Sequence, residues 1–282
     1  MINKILLADS GTGHSEDMLK VLMEIPSVKN ASVTILHVVG RQLTEDAMTE
    51  KWEEGGKILA NAIQKLQLDP SHVNSILRQG DPKAVVCQVA DEIDADLIIM
   101  GSRGLKRLVS ILENSVSQYV FQLSSRPMLL VKDDIYAIRQ LQKIMVAMDK
   151  SEAAMSCLKL ATFLLRDIKG GQLILTHVDL NLKPGTPVST SEQDPVLAPA
   201  VAEAKRMGIS YKCVTTPGAK AGEELCRLAE EMHADMLMLG SPDRRPSIAR
   251  GLPDLDRLLG TSLSDYVRVH ANCPVLLART SG

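Results

Sequence analysis

The chain has 282 residues and a formal net charge of −2; 45% of it is hydrophobic, 23% charged and only 2% aromatic. That length suits one large or two medium domains of the soluble globular class. The balanced charge argues against an electrostatic nucleic-acid binder, the scarcity of aromatics against a stacking platform for single strands, and the absence of an apolar run of ~18 residues against a membrane span. The five cysteines, Cys87, Cys157, Cys213, Cys226 and Cys273, show no CxxC and no metal-ligand spacing. They read as reduced, mostly packed thiols of a cytoplasmic protein.

In chain order, the opening Lys4 to Ala8 is too short an apolar core for a signal peptide and reads as strand 1. The loop Asp9-Ser10-Gly11-Thr12-Gly13-His14 follows, with helix 1 expected from Ser15 as N-cap and Glu16 and Asp17 in its first turn. Strand 2 is expected over Ser32 to Val39, a long helix over Leu43 to Leu68 around the single Trp52, and strand 3 over Val73 to Arg78. Gly80-Asp81-Pro82 starts a helix, with proline early in its first turn. The unalternating run Ala95 to Met100 reads as strand 4, buried on both faces. Strand 5 covers Pro127 to Val131. This alternation predicts a parallel sheet wrapped by helices, of order 3-2-1-4-5.

The chain then repeats itself. Lys4-Ile5-Leu6-Leu7-Ala8-Asp9 recurs as Lys143 to Asp149, and Leu36-His37-Val38 as Thr176-His177-Val178. The run Ala95-Asp96 to Gly101-Ser102 recurs as Ala234-Asp235 to Gly240-Ser241, and Tyr119-Val120 as Tyr266-Val267. The offset is 139 at the glycine and 147 at the tyrosine, so the second copy carries 8 more residues between those points. Such duplication predicts two domains, 1–137 and 138–282. In the second copy a Pro-, Ser-, Thr- and Asp-rich stretch from Leu180 to Pro199 reads as a flexible surface loop, followed by a shorter helix over about Val196 to Met207.

The segment from Ala95 to Ser117 organises the candidate site. A buried strand ends in Gly101-Ser102-Arg103-Gly104, and Asn114-Ser115-Val116-Ser117 opens the next helix. Glycines allow close backbone approach, and helix N-termini attract anions, so the two together suggest a phosphate cradle at the carboxyl end of a parallel sheet.

With these residues the chain resembles a tandem universal stress protein. The resemblance rests on the strand-end aspartate, the strand-2 His-Val, the Ala-Asp-apolar-Gly-Ser strand 4 and the Ser-Val-Ser helix start, in order and in duplicate. It implies two doubly wound, Rossmann-like domains akin to the adenine nucleotide alpha hydrolases, paired through their fifth strands into an intrachain pseudo-dimer. It also implies an adenine nucleotide (ATP, ADP or AMP, with or without magnesium) held in the family's nucleotide-binding branch by a G-x2-G-x9-G-[S/T] loop. On this pattern Gly101 and Gly104 match, Asn114 replaces the third glycine, and Ser115 takes the hydroxyl position, with Arg103, Val116 and Ser117 beside it. Asp9 would meet the adenine or ribose, and Val38 would line the adenine pocket.

In the second copy Gly240 matches, but Pro242 and Asp243 depart from the motif. The insertion carries Arg244, Arg245, Arg250 and Arg257, and a long connection is expected over 241–258. Both strand-end aspartates, Asp9 and Asp149, and both valines, Val38 and Val178, suit an adenosine pocket, so the second half is expected to have lost phosphate binding alone. His37 and His177 read as core histidines. No Walker lysine, general base or acidic cluster beyond Asp9 points to turnover. The reading is a stress-response protein that binds an adenine nucleotide mainly in its first domain and acts as a nucleotide-responsive regulator. A scaffold acting through protein contacts and a slow ATPase are the alternatives. The protein partner is open, and the reading leaves room for a homodimer of tandem chains.

Overall fold

The structure, a computed structural model, describes residues 1–102, 116–133, 138–183, 185–190, 192–218, 220–241 and 262–278. The chain divides into two compact units, the first of Met1–Arg139 and the second, among the described residues, of 140–241 and 262–278.

In the first unit β1 (Lys4–Ala8), β2 (Ser32–Val39), β3 (Val73–Gln79), β4 (Leu97–Ser102) and β5 (Met128–Lys132) form the order β3-β2-β1-β4-β5. Every neighbouring pair in that set is parallel, as the uninterrupted apolar runs imply. Ile5, Leu6 and Leu7 of β1 and Leu97, Ile98 and Ile99 of β4 are fully buried, so the sheet centre is covered on both faces. The helices are α1 (Ser15–Met23), α2 (Glu45–Leu66), α3 (Pro82–Glu92) and α4 (Val116–Leu123). Thr44 caps α2 by accepting from the Ala47 amide, and Asp81 caps α3 by accepting from the Lys83 amide, with Pro82 at the first turn. Gly55 lets α2 press onto β2: a Cβ there would stand 2.8 Å from Leu77 Cδ1 and 3.0 Å from His37 Cδ2.

The second unit has the same plan. Its strands β6 (Lys143–Ala147), β7 (Gln172–Asp179), β8 (Ser210–Pro217), β9 (Met236–Gly240) and β10 (Val275–Ala278) run β10-β9-β6-β7-β8, all parallel. Its helices are α5 (Glu152–Leu165), α6 (Ala198–Arg206), α7 (Ala221–Glu231) and α8 (Leu263–His270). The duplicated Ala-Asp before the central strand has a structural role in both units. Asp96 Oδ2 accepts from the amides of Asn3 and Lys4, and Asp235 Oδ2 from those of Gln142 and Lys143. Each carboxylate ties the start of one central strand to the start of its neighbour.

Three expectations need correction. The N-cap of α1 is His14, not Ser15; His14 Nδ1 pairs with Asp17 Oδ2 at 3.0 Å, and Ser15 is buried as the first helical residue. The loop after β7 lies at the surface as expected, but it is tied to β8. Ser189 and Thr215 exchange two backbone hydrogen bonds of 2.7 Å, so the segment lies as a strap along β8. Third, Asp149 makes the same turn as Asp9, its Oδ1 accepting from the Ser151 amide as Asp9 Oδ1 does from that of Gly11, but it does not hold Asp9's place in the strand register. The Asp9 amide donates to Leu36 O, while in the second unit it is the Met148 amide that donates to the equivalent Thr176 O. Ala8 pairs with Leu36 and Ala147 with Thr176, so Met148 holds Asp9's place and Asp149 falls one residue beyond it. A one-residue shift at a strand end turns the side chain to the other side. Met148 is buried, and Asp149 is exposed.

Candidate functional site

The β1–α1 connection, the carboxyl ends of β1, β2 and β4, and the N-termini of α3 and α4 enclose a cleft of about 420 Å³ in the first unit. That lies in the range of small-molecule sites. Five of the residues picked from sequence line it: Asp9, Val38, Gly101, Val116 and Ser117. Arg103, Gly104, Asn114 and Ser115 lie outside the described residues.

Asp9 is 5% exposed. Its Oδ1 accepts from the Gly11 amide at 2.9 Å, an arrangement that Gly11 permits by adopting φ +79°. No donor among the described residues reaches its buried Oδ2. Burial pushes the Asp9 carboxyl above its ordinary range; the Gly11 amide pulls it down, and the charge of nearby Glu16 adds to the push. Ser102, 4% exposed at the end of β4, likewise lines the cleft with a buried Oγ that has no hydrogen-bond partner among the described residues. Buried polar atoms are nearly always satisfied, so two orphans around one cleft mark a place for a ligand's polar groups.

His37 is not a core histidine. It lines the cleft, and its Nδ1 donates to the Asp9 carbonyl oxygen at 2.8 Å, so the β2 end fixes the backbone that carries Asp9. Val38, Pro82 and Val86 supply apolar wall, and Asp133, just past β5, closes one side. Asp133 and His37 were not singled out as site residues from sequence. The histidine's duplicate at 177 was the available signal; for Asp133 there was none, because its placement depends on how β5 pairs with β4.

The second unit builds a different space. The β6–α5 connection runs only from Met148 to the cap Ser151, against Asp9 to the cap His14 in the first unit. The shorter span draws α5 onto the end of β9. A Cβ on Gly240 would stand 2.5 Å from the Ala153 carbonyl carbon and 2.6 Å from the Ala154 amide nitrogen. On Gly101 the nearest atom would be Asp133 Oδ1 at an ordinary 3.4 Å. The cradle position is therefore open in one unit and closed by helix backbone in the other. Val178 is turned against Gly218, where a Cβ would meet its Cγ1 at 2.8 Å. Neither Gly240 nor Val178 is among the residues lining the second unit's cleft of about 700 Å³. Asp149 does line its rim. Among the described residues, Asp149 and Val178 do not line one cleft together.

What lines that cleft is a polar network on the strap. Asp194 Oδ2 accepts from Thr215 Oγ1 at 2.6 Å and pairs with His177 Nδ1 at 2.8 Å, and Asp194 Oδ1 accepts from the Val196 amide at 2.8 Å. Desolvation pushes the Asp194 carboxyl up, but the hydrogen bonds from Thr215, His177 and Val196 outweigh it and hold the group below its ordinary range. Elsewhere, burial pushes the Cys87 thiol up to about 11 and the Cys157 thiol to about 12, which leaves neither in the reactive thiolate form at neutral pH. No helix among the described residues is long and apolar enough to cross a membrane.

Comparison with known proteins agrees with this duplicated architecture. The sequence profile of the universal stress protein family matches residues 1–132 and again 140–279. Universal stress protein YxiE of Bacillus subtilis is 30% identical over 148 residues, covering 47% of this chain and all of that protein. A universal stress protein of Thermus aquaticus is 30% identical over 139 residues, again 47% of this chain and all of that one. A solved universal stress protein from Archaeoglobus fulgidus matches in fold at a TM-score of 0.76, with 20% identity over 99% of this chain and 97% of that chain. The chain belongs to the universal stress protein family, two of whose domains it carries in tandem.

Proposed function

We propose that the first unit binds an adenine nucleotide in the cleft at the ends of β1, β2 and β4, and that occupancy makes the protein a nucleotide-responsive regulator in the stress response. The observation that carries the reading is the pair of buried, unsatisfied polar atoms, Asp9 Oδ2 and Ser102 Oγ, around one cleft. The residues fit the ligand. Asp9 accepts from adenine or ribose donors, and Val38 with Val86 covers the base. Gly101 brings backbone close to the phosphates, and the hydroxyls of Ser102 and Ser117 donate to them. By resemblance to the family's phosphate loop, Arg103, Gly104, Asn114 and Ser115 complete the phosphate end. The second unit has its cradle position closed and serves the fold.

The test is to denature the purified chain and identify released nucleotide by mass spectrometry, with thermal shifts in adenosine, AMP, ADP and ATP alongside. Ligand at ~100 times its dissociation constant adds about 2.7 kcal/mol to stability. Released adenine nucleotide or such a shift supports the reading. No release, and no shift with any of the four at millimolar concentration, hands the protein to the scaffold alternative; phosphate release from ATP would favour the ATPase.

A further inference from the structure

We propose that the first half of α2 is a hinged lid for the first-unit cleft, folding onto a bound adenine ligand about Gly55 and Gly56; this rests on the adenine reading of that cleft. α2 has 22 residues, and its buried positions are Gly55, Leu59, Ala62 and Leu66. They form one stripe at helical spacing, confined to the second half. None of residues 40–54 is buried. The turns from Glu45 to Glu54 therefore project for about 15 Å without packing on the unit. The helix at the same place in the second unit, α6, has 9 residues and buries Ala200, Val201 and Ala204. A short docked helix thus suffices for the fold, and the projecting half is an addition of the unit whose Gly101 cradle position is open.

The junction between the two halves carries two glycines. Gly55 is needed for packing against Leu77 and His37. Gly56 has no such reason, since a Cβ there would meet nothing within 4 Å. Glycine inside a helix is less stable than alanine, so α2 is weakest where its docked half ends. The same junction rests on the cleft. His37, beneath Gly55, lines the cleft, and its Nδ1 donates to the Asp9 carbonyl oxygen. Near the junction, Ile58 covers Gly11: a Cβ on Gly11 would stand 2.9 Å from Ile58 Cδ1. The Gly11 amide donates to Asp9 Oδ1. A ligand drawing on Asp9 Oδ2 therefore bears on both places where α2 is seated.

α2 follows β2 directly, so its projecting half starts at the carboxyl end of the sheet, the end the cleft occupies. It carries apolar surface to that rim. Leu43 is fully exposed, and Trp52, the single tryptophan, is 38% exposed. Closure over an adenine ring removes such surface from water. Movement costs little, because the cap at Thr44 and the Lys51–Glu54 pair are internal to the helix and travel with it. The hydrogen bond to the sheet is a weak one, from Gln79 Nε2 to Met48 Sδ at 3.4 Å.

The experiment titrates the full chain with adenosine and with AMP, by calorimetry and by Trp52 fluorescence, which reports on the lid alone. Bound adenosine should shift the emission to shorter wavelength and slow hydrogen exchange of the amides of 45–54 by about fivefold or more. Gly56→Ala, which favours the straight helix, should weaken adenosine binding by about threefold or more without lowering the apo melting temperature. Trp52→Ala should weaken it similarly, again with the apo melting temperature kept. Calorimetric binding of adenosine with Trp52 emission and the exchange of 45–54 unaltered, or a Gly56→Ala chain that binds as the wild type does, overturns the lid and leaves the adenine reading intact. No calorimetric binding of either ligand overturns both.

Discussion

Gly240 and Gly101 hold the same place in the repeat, yet adding one methyl group to each should have opposite consequences. At Gly240 the new Cβ would lie 2.5 Å from Ala153 carbonyl carbon and 2.6 Å from Ala154 nitrogen, and ordinary contact begins at 3.4 Å. These are backbone atoms of a helix, so they cannot rotate away as a flexible side chain would. The N-terminal turn of α5 must retreat by about 0.9 Å, the gap between those two distances. Retreat loosens Ala153, Ala154, Cys157 and Leu158, all buried against the sheet. Overpacking of this kind costs typically ~1–3 kcal/mol, and a backbone obstacle places Gly240→Ala at or above the top of that range. For a unit of this size ~3 kcal/mol corresponds to a fall in Tm of roughly 6–12 °C. Among the described residues Gly101→Ala meets Asp133 Oδ1 at 3.4 Å and Thr12 O at 4.0 Å, both ordinary contacts, and should stay within ~0.5 kcal/mol of the wild type. Urea denaturation followed by circular dichroism gives both numbers, read as midpoint shifts at constant slope. A Gly240→Ala variant as stable as the wild type, or two variants equally damaged, would refute the idea that α5 closes the second cradle.

Other outcomes follow from the same geometry. Asp9→Asn keeps an acceptor for the Gly11 amide and removes a buried charge. It should raise apo-protein stability by about 0.5–2 kcal/mol at neutral pH and abolish most of the adenine-ligand thermal shift. Because the folded state holds the Asp9 proton more tightly than the unfolded chain, wild-type stability from this group falls as pH rises from about 3.8 through its folded value. The variant should lack that slope in pH-dependent melting. Asp194 has the opposite sign: its contribution is full above about 3.8 and is lost as pH falls through its lower folded value, so Asp194→Ala should flatten the acid limb and cost about 1–3 kcal/mol at neutral pH. Gly104→Asp should eliminate nucleotide release from the purified chain without lowering the apo Tm by more than a few degrees. Calorimetry on the full chain should count at most one nucleotide; two equivalent sites would contradict the closure at Gly240.

Strand identity and order were legible because buried parallel strands are unbroken apolar runs, and the two copies checked one another. The clustering of five picked residues around one first-unit cleft was legible too, since a glycine after such a run and a serine at a helix start both sit at the carboxyl ends of the sheet. The register of the second copy was misread for a reason a motif does not carry. Matching Asp149 to Asp9 skips over Met148, one residue too many, and only the hydrogen bond of the Met148 amide to Thr176 shows which residue ends the strand. The closure at Gly240 depends on the length of a connection 90 residues earlier, between Met148 and Ser151. His177 reads as a core histidine until its partner at Asp194 is known, because that partner comes from a loop whose composition suggests only a turn-rich linker.

The strap between β7 and α6 also sets a timescale. Among its described residues Leu180 and Val188 point their apolar surface to solvent, and only Leu197, at the α6 end, is fully buried. The strap is therefore held by the Ser189–Thr215 exchange, the bonds of Asp194 and those of Glu192 to Tyr211 and Lys205, with little hydrophobic surface to lose on release. Segments held in this way open at a free energy well below that of global unfolding. The Ser189 and Thr215 amides, each bonded to the other's carbonyl, should then exchange with solvent at one common rate, faster than the amides of β6 and β9 at the centre of the sheet. One wall of the second cleft thus has a lifetime, and that lifetime can be read from a single pair of amides.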